Sequence, residues 1–452
     1  MGLRTFFNRL FDETAALPAP KREIRPQASP AAPFPPDAAR EASARRAAAN
    51  ALLHREEVLD ARNRIYGYRF SMRPVSDAAP PTEQAFLDAL DDAAVAAFAQ
   101  RRLALIPISA EAVGRGAHER LAAPHAMFLL DLRQARLPQD EWLALAGSIH
   151  ASGSRVALAG IDDPAQAAPL AAAADLLLFR FADSSPMHIE RLARELRTQR
   201  PQTALGMEGL PSWAERRMCA SWGFEYCLGD FLATQDGDDK ETAIDQNRLL
   251  LIELLNRLRD EADLAEIAQE AKKDPGIAFQ VLAMANSPAS GLVNPVSSLE
   301  QAILVLGRER LYRWLLVSMF RIGSTRDRDE ALLEVALARA RFMETIAAGS
   351  LPRKSCEELF LVGLLSLFDL LLAVPMPQVL SRMQLAEPVV DVLLHSRGPY
   401  ARHLMLALAL EKGRAAQAVD LAAALGIPAD GLQTASMAAL AWAGKALGHS
   451  RE

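Results

Sequence analysis

The stretch from Asp263 to Arg310, DLAEIAQEAKKDPGIAFQVLAMANSPASGLVNPVSSLEQAILVLGRER, constrains the fold more than any other part of the chain. Helices begin and end at residues that satisfy free backbone groups, and such residues recur here at short intervals. Asp263, with Glu266 three residues on, spells a capping box. Asp274-Pro275 opens a second helix, because aspartate accepts from free N–H groups and proline fits the first turn. Asn286, Ser287 and Pro288 stop it. Ser297 with Glu300 predicts the cap of a third helix, and Gly307 its end. From Glu241 onward nearly everything reads as helical. Ile252, Leu255 and Leu258 mark a first apolar stripe, Leu332 to Phe342 a later long helix, and Ser436 to Leu447 a last amphipathic one. Phe360 to Pro377 is the most apolar stretch; Ser366, Asp369 and the prolines make it a buried core helix rather than a membrane span.

The preceding part follows another pattern. VLDARNRIYGYRFSMR reads as two strands and a turn. RLALIPIS, HAMFLLDLR, SRVALAG, ADLLLFRF and QTALGME are short apolar strand candidates. Alanine-rich helical runs separate them: Glu83 to Gln100, Asp140 to Ala151 and Met187 to Arg200. Strand–helix alternation of this kind points to a parallel sheet or barrel. Residues 1–52 differ again. Leu3, Phe6, Phe7, Leu10 and Phe11 share one helical face, and seven prolines follow between Pro18 and Pro36. The proline-rich stretch cannot build a core and is expected to be a disordered tether. The domain plan is a tail over 1–52, an α/β domain over 53–234, a polar linker over 235–240 and an all-helical domain over 241–448.

Composition excludes some functions. A net charge of −6 argues against a general nucleic-acid binder. Cys219, Cys227 and Cys356 form no metal pattern or disulfide framework and suit a reducing compartment. The eight histidines are scattered. His395 and His403 are eight apart, but Gly398-Pro399 interrupts any helix between them, so no metal site is expected. No signal peptide is apparent, and the expected location is the cytoplasm.

The helical words KKDPGIAFQVLAMANS, SLEQAILVLG and FLVGLLSLFDLLL resemble the HDOD domain, a helical relative of the HD phosphohydrolases found in bacterial signalling proteins. The α/β words VLDARNRIYGYRF, FLLDLR, ADLLLFRF, and MEGLPS followed by WGFEYCLGDFLA resemble a shortened EAL domain, the barrel of cyclic di-GMP phosphodiesterases. The implied fold class is α/β plus all-α: a shortened EAL-like (β/α) barrel, then an HDOD domain. That order matches a family of two-domain signalling proteins.

The resemblance also says which residues should carry chemistry. An EAL enzyme hydrolyses a phosphodiester with water activated by two divalent ions, held by carboxylates and an asparagine at strand ends. The name-giving glutamate falls on Arg69 and the asparagine on Pro107. The next glutamate falls on Asp131, the paired aspartates on Ala159 and Gly160, and the lysine and aspartate of a later motif on Leu178 and Arg180. Glu208 survives, its companion falls on Pro211, and a final glutamine falls on Leu228. Hard dications need several oxygen ligands, and guanidinium groups here would repel them. The α/β domain is therefore expected to lack catalysis, metal and cofactor. Two readings of Arg69 and Arg180 stand: they bind an anionic ligand such as a cyclic dinucleotide, or they pair with Asp131 or Glu208 and fill the old site.

In the helical domain the metal-binding His-Asp dipeptide falls on Ser366-Leu367, which are not ligands. Asp274, Pro275, Asn286, Ser287, Gly307, Ser366 and Asp369 occupy family positions. Asp369 reads as a hydrogen-bonded structural carboxylate. Arg308, Arg310, Arg313, Arg321, Arg326 and Arg328 read as a solvated basic face, or as a surface for an acidic partner. The expected function is regulation through contact with another regulatory protein.

Overall fold

The structure is a computed structural model. It describes residues 51–447 apart from 77–79, 136, 162–169, 171–172, 184, 238–243, 245, 287–294 and 321–327. The N-terminal apolar stripe and proline-rich tether, Ser287, Arg321, Arg326 and residues 238–240 of the expected linker lie outside the described residues.

Eight strands close into a barrel: β1 Ala51–Leu59, β2 Ile65–Pro74, β3 Leu103–Pro107, β4 Ala126–Asp131, β5 Arg155–Ala159, β6 Leu176–Arg180, β7 Ala204–Glu208 and β8 Tyr226–Cys227. β1 runs antiparallel to β2 and β8, and β2 through β8 pair in parallel. Successive side chains alternate between the two faces. Leu103, Leu105, Met127, Leu129, Leu176 and Leu178 fill the barrel, while Ala104, Ile106, Phe128, Leu130, Leu177 and Phe179 face the outer core. Strands buried on both faces read as unbroken apolar runs, which is why they were legible.

Several local expectations are corrected. The two-residue β8 carries no strand pattern of its own. The run from Glu83 to Gln100 is two helices, Glu83–Asp92 and Val95–Phe98, divided at Ala94 with φ 53°. Ser298, not Ser297, caps the Leu299–Leu306 helix by accepting from Gln301 N at 3.1 Å. The shift buries Leu299 in the first turn. Asp263 and Asp274 cap as expected, but Glu266 closes no box and lies 3.9 Å from Arg257. The run from Phe360 to Pro377 is not one helix. It belongs to Arg353–Leu365, Phe368–Leu372 and Met376–Leu380, broken after Leu365 and again at Ala373 with φ 53°. The last helix starts earlier than expected, at Ala429.

The helical domain is centred on the Asp329–Ala347 helix, which packs against Arg353–Leu365 and Ala429–Leu447. Gly363 permits the first contact: a Cβ there would lie 2.5 Å from Ala340 Cα. One apolar core runs from the barrel's outer face into these helices, and polar contacts cross the same boundary. Glu334 accepts from Arg102 Nη1 at 2.5 Å and from the Tyr68 hydroxyl at 3.0 Å, and all three side chains are buried. Arg102 also donates to Ile65 O at 2.6 Å. Arg55 donates to Ser436 Oγ. Arg328 is not solvated: it is buried with its guanidinium 5.4 Å from the Trp213 ring centroid. Arg308 and Arg313 are half-buried, the former donating to Ala262 O and the latter facing Glu344.

Breaking a buried ion pair strands its partner's charge, so Glu334→Ala should lower unfolding free energy by about 3–5 kcal/mol. Chemical denaturation measures this; a change within error would mean the contact is not buried in solution. Glu57, beside Tyr68 in the register, has its carboxyl pushed by burial from 4.5 up to about 7. The fold therefore holds this proton more tightly than the unfolded chain does. The resulting stability is complete below about 4.5 and is lost as pH rises through about 7. Glu57→Gln should gain in melting temperature over the parent as pH is raised across that window.

Candidate functional site

The C-terminal ends of the parallel strands surround an open cavity of about 400 Å³, the place where barrels of this kind hold their chemistry. Pro107, Asp131, Ala159, Arg180 and Glu208 reach it from the ends of β3, β4, β5, β6 and β7, and Arg69 rises from β2. All four site residues expected from the sequence, Arg69, Asp131, Arg180 and Glu208, thus line one space.

Their pairing is specific. Glu208 is buried and accepts from both arginines: Arg69 Nη1 on one carboxylate oxygen and, at 2.9 Å, Arg180 Nε on the other. Arg69 also lies 4.0 Å from Glu56. This is the pairing reading of the two arginines, with Glu208 rather than Asp131 as the shared partner. The proximity of Glu208 raises the Arg180 pKa further. Asp131 instead accepts from the backbone of Arg133 at 2.9 Å. Gly160 has φ 73°, and a Cβ there would lie 2.2 Å from Asp131 Oδ1. No side chain can therefore stand at 160 without displacing Asp131 or the strand end.

Sequence reasoning missed two parts of this site. Glu83 accepts from the Ser109 N–H at 2.6 Å and the Ser109 hydroxyl at 2.7 Å, bracing the wall beyond β3. At the rim, His54 stands between Ser71 Oγ at 3.3 Å and the backbone oxygen of Glu411 at 3.1 Å. Burial drives the His54 pKa down to about 4, so the ring is neutral and bridges the two domains. A glutamate beside a strand end and a histidine facing a helix terminus leave no mark in sequence, since each depends on a distant partner.

The second expected site lies behind that rim. Glu411 holds Arg339 through contacts of 2.8 and 2.6 Å. Arg339 donates in turn to Ser366 Oγ at 2.6 Å, while Ser366 donates to Gly363 O at 2.7 Å. Ser366 therefore terminates a polar chain that starts at the barrel rim. Asp369 lies in the helix after it, its pKa raised by burial against the pull of nearby N–H groups and Arg339. Asp274 and Pro275 cap a helix. Asn286 clasps the chain through Val296, donating to its oxygen at 2.8 Å and accepting from its nitrogen at 2.7 Å. Gly307 ends one helix and starts the next with φ 76°. His403 is buried on the Ala401–Glu411 helix, while His395 ends another and is exposed. Among the described residues no three His, Cys, Asp or Glu side chains are placed to hold a metal, and no helix is long and apolar enough to cross a membrane.

Residues 249–388 match the family model of the HDOD domain. Two curated proteins resemble the chain. One is the uncharacterized protein YuxH of Bacillus subtilis, 26% identical over 162 residues, covering 35% of this chain and 39% of that one. The other is the cyclic di-GMP phosphodiesterase CdgJ of Vibrio cholerae, 24% identical over 191 residues, covering 42% and 44%. Each match spans less than half the relative's length. Among solved structures, the FimX EAL domain of Pseudomonas aeruginosa bound to c-di-GMP aligns over 43% of this chain and 94% of its own, at 12% identity and TM-score 0.34. YkuI of Bacillus subtilis, with an EAL domain, aligns over 59% and 73%, at 15% and 0.33. The chain is thus an eight-stranded barrel followed by a helical region in which residues 249–388 match the HDOD domain.

Removing Glu208 should leave Arg69 and Arg180 without their shared counter-ion. Glu208→Ala is expected to melt at lower temperature than the parent, and sulfate or phosphate should restore part of the loss by taking the carboxylate's place. Thermal unfolding with and without the anion, at matched ionic strength, checks this.

Proposed function

We propose that this protein is a regulator without phosphodiesterase activity, which acts by presenting its HDOD domain to another regulatory protein. One observation carries the reading. The carboxylate retained at the strand ends, Glu208, is already occupied on both oxygens by cations. A dication entering there would have to displace two guanidinium groups that stay charged at any working pH. Gly160 adds to this, because an aspartate in its place would collide with Asp131.

The regulatory part of the proposal rests on how the domains meet. The cavity rim, His54, Glu411, Arg339 and Ser366 form one line of contacts from barrel to helical domain. The state of the cavity can thus bias the helices, as a coupling between two sites requires. In the HDOD-matched region, Phe279 and Leu304 stand 72% and 69% exposed on two helices packed together. Large apolar side chains left exposed on neighbouring helices suit a protein partner.

A second reading is favoured by the cavity itself. It remains open, and the Arg180 side chain is half exposed within reach of it. A cyclic dinucleotide phosphate could compete with Glu208 for both arginines without metal. The CdgJ relative acts on cyclic di-GMP, which makes that nucleotide the probe to use.

Calorimetry and product analysis with cyclic di-GMP, with and without Mg²⁺, should give no turnover and no saturable heat. Metal-dependent hydrolysis would end the non-catalytic reading. Saturable, metal-independent binding lost in Arg69→Ala or Arg180→Ala would replace it with a nucleotide sensor.

A further inference from the structure

A second cavity, of about 230 Å³, lies in the helical domain away from the barrel and from Ser366. It is bounded by the end of the Gln246–Arg259 helix, the Arg308–Ser318 helix and the start of Arg353–Leu365. Its cations are Arg259, Arg308, Arg313 and Lys354, and its carboxylates Glu309, Glu357 and Glu358. Each carboxylate has a partner, which for Glu309 includes the cavity's own Arg313. Glu357 takes Arg353 at 2.8 Å, Glu358 accepts from the Tyr400 hydroxyl at 2.6 Å, and Glu309 lies between Arg313 and Arg353. Arg313 is held by Glu344 at 3.4 Å and covers Phe360. Arg259 and Lys354 are exposed, and among the described residues neither pairs with a carboxylate.

Two buried donors beneath them are unused. The Tyr312 hydroxyl meets no acceptor and Arg308 Nη1 no partner among the described residues, although Arg259 donates toward the Tyr312 oxygen and Arg308 anchors its other nitrogen on Ala262 O at 2.6 Å. Leaving a buried donor unpaired forfeits its hydration without replacement, so two beside one cavity call for an explanation. Arg259 lies over the Tyr312 ring at 5.9 Å and shields these donors. It can give the hydroxyl no acceptor, because a guanidinium only donates.

We propose that this cavity binds a small phosphate-bearing molecule. Its phosphoryl oxygens accept from Tyr312, Arg308, Arg259 and Lys354, and its body lies against Leu258 and Leu361. Arg259, exposed and without a carboxylate, swings from the Tyr312 ring onto the anion, which opens the buried donors and closes over the ligand. The volume is below that of ordinary drug-sized sites, which limits the body to about the size of one sugar.

The test is titration calorimetry of the full chain with ribose 5-phosphate and, separately, inorganic phosphate, beside Arg259→Ala, Tyr312→Phe and Arg69→Ala. Saturable binding weakened roughly tenfold or more by the first two variants and unchanged by Arg69→Ala is the expected result. Binding of ribose 5-phosphate alone would place recognition in the sugar as well as the phosphate; binding of both would place it in the phosphate. Thermal unfolding of ligand-free Tyr312→Phe supplies a second readout. That variant should melt at or above the parent, because it removes an unpaired hydroxyl, while losing affinity. No saturable binding of either probe at millimolar concentration overturns the proposal. So does binding lost in Arg69→Ala but kept in the other two, which would assign the phosphate to the barrel. A cavity residue needed only for folding would lower stability and affinity together.

Discussion

The burial of Glu334 is the constraint on which the arrangement of this protein depends. A carboxylate inside a helix core is tolerated only with its charge matched and its oxygens bonded. Arg102 and Tyr68 do this from the barrel. Tyr68 is followed at once by Arg69, and consecutive residues of a strand point to opposite faces. β2 therefore carries the domain contact on its outer face and the cavity's cation on its inner one. The site and the interface are separated by a single peptide bond.

The cavity is balanced by charges that the chain itself carries. Its strand ends gather two arginines around one buried carboxylate, so the counter-ions are covalently attached. Gly160 fits that arrangement sterically, since its missing Cβ is the space that Asp131 fills.

Much of this was legible in the chain. The apolar runs at Leu103, Ala126, Leu176 and Ala204 are strands because they are buried on both faces, and burial of that kind is written in composition. Asp274-Pro275 and Gly307 act where they stand because capping is local. The four cavity residues converge as expected because barrel strands deliver their ends to one place. What could not be read depends on partners far away in sequence. Glu334 sits in the run Leu332 to Leu337 and looks like a surface position on an apolar helix, although a lone acid among leucines was a signal to heed. Arg328 looks basic and solvated until Trp213 of the barrel is placed beneath it. The Ser297–Ser298 choice turned on which register buries Leu299, a tertiary matter.

The intimacy of the two domains bears on how the protein can be dissected. An isolated helical fragment would turn Glu334 and the apolar rows around it toward water, and an isolated barrel would do the same with Tyr68, Phe70 and Arg102. Each half completes the solvent-free interior of the other, so the chain has the anatomy of a single cooperative unit despite its two fold types. A fragment that bound a partner through those rows would be reporting a wound rather than a native surface.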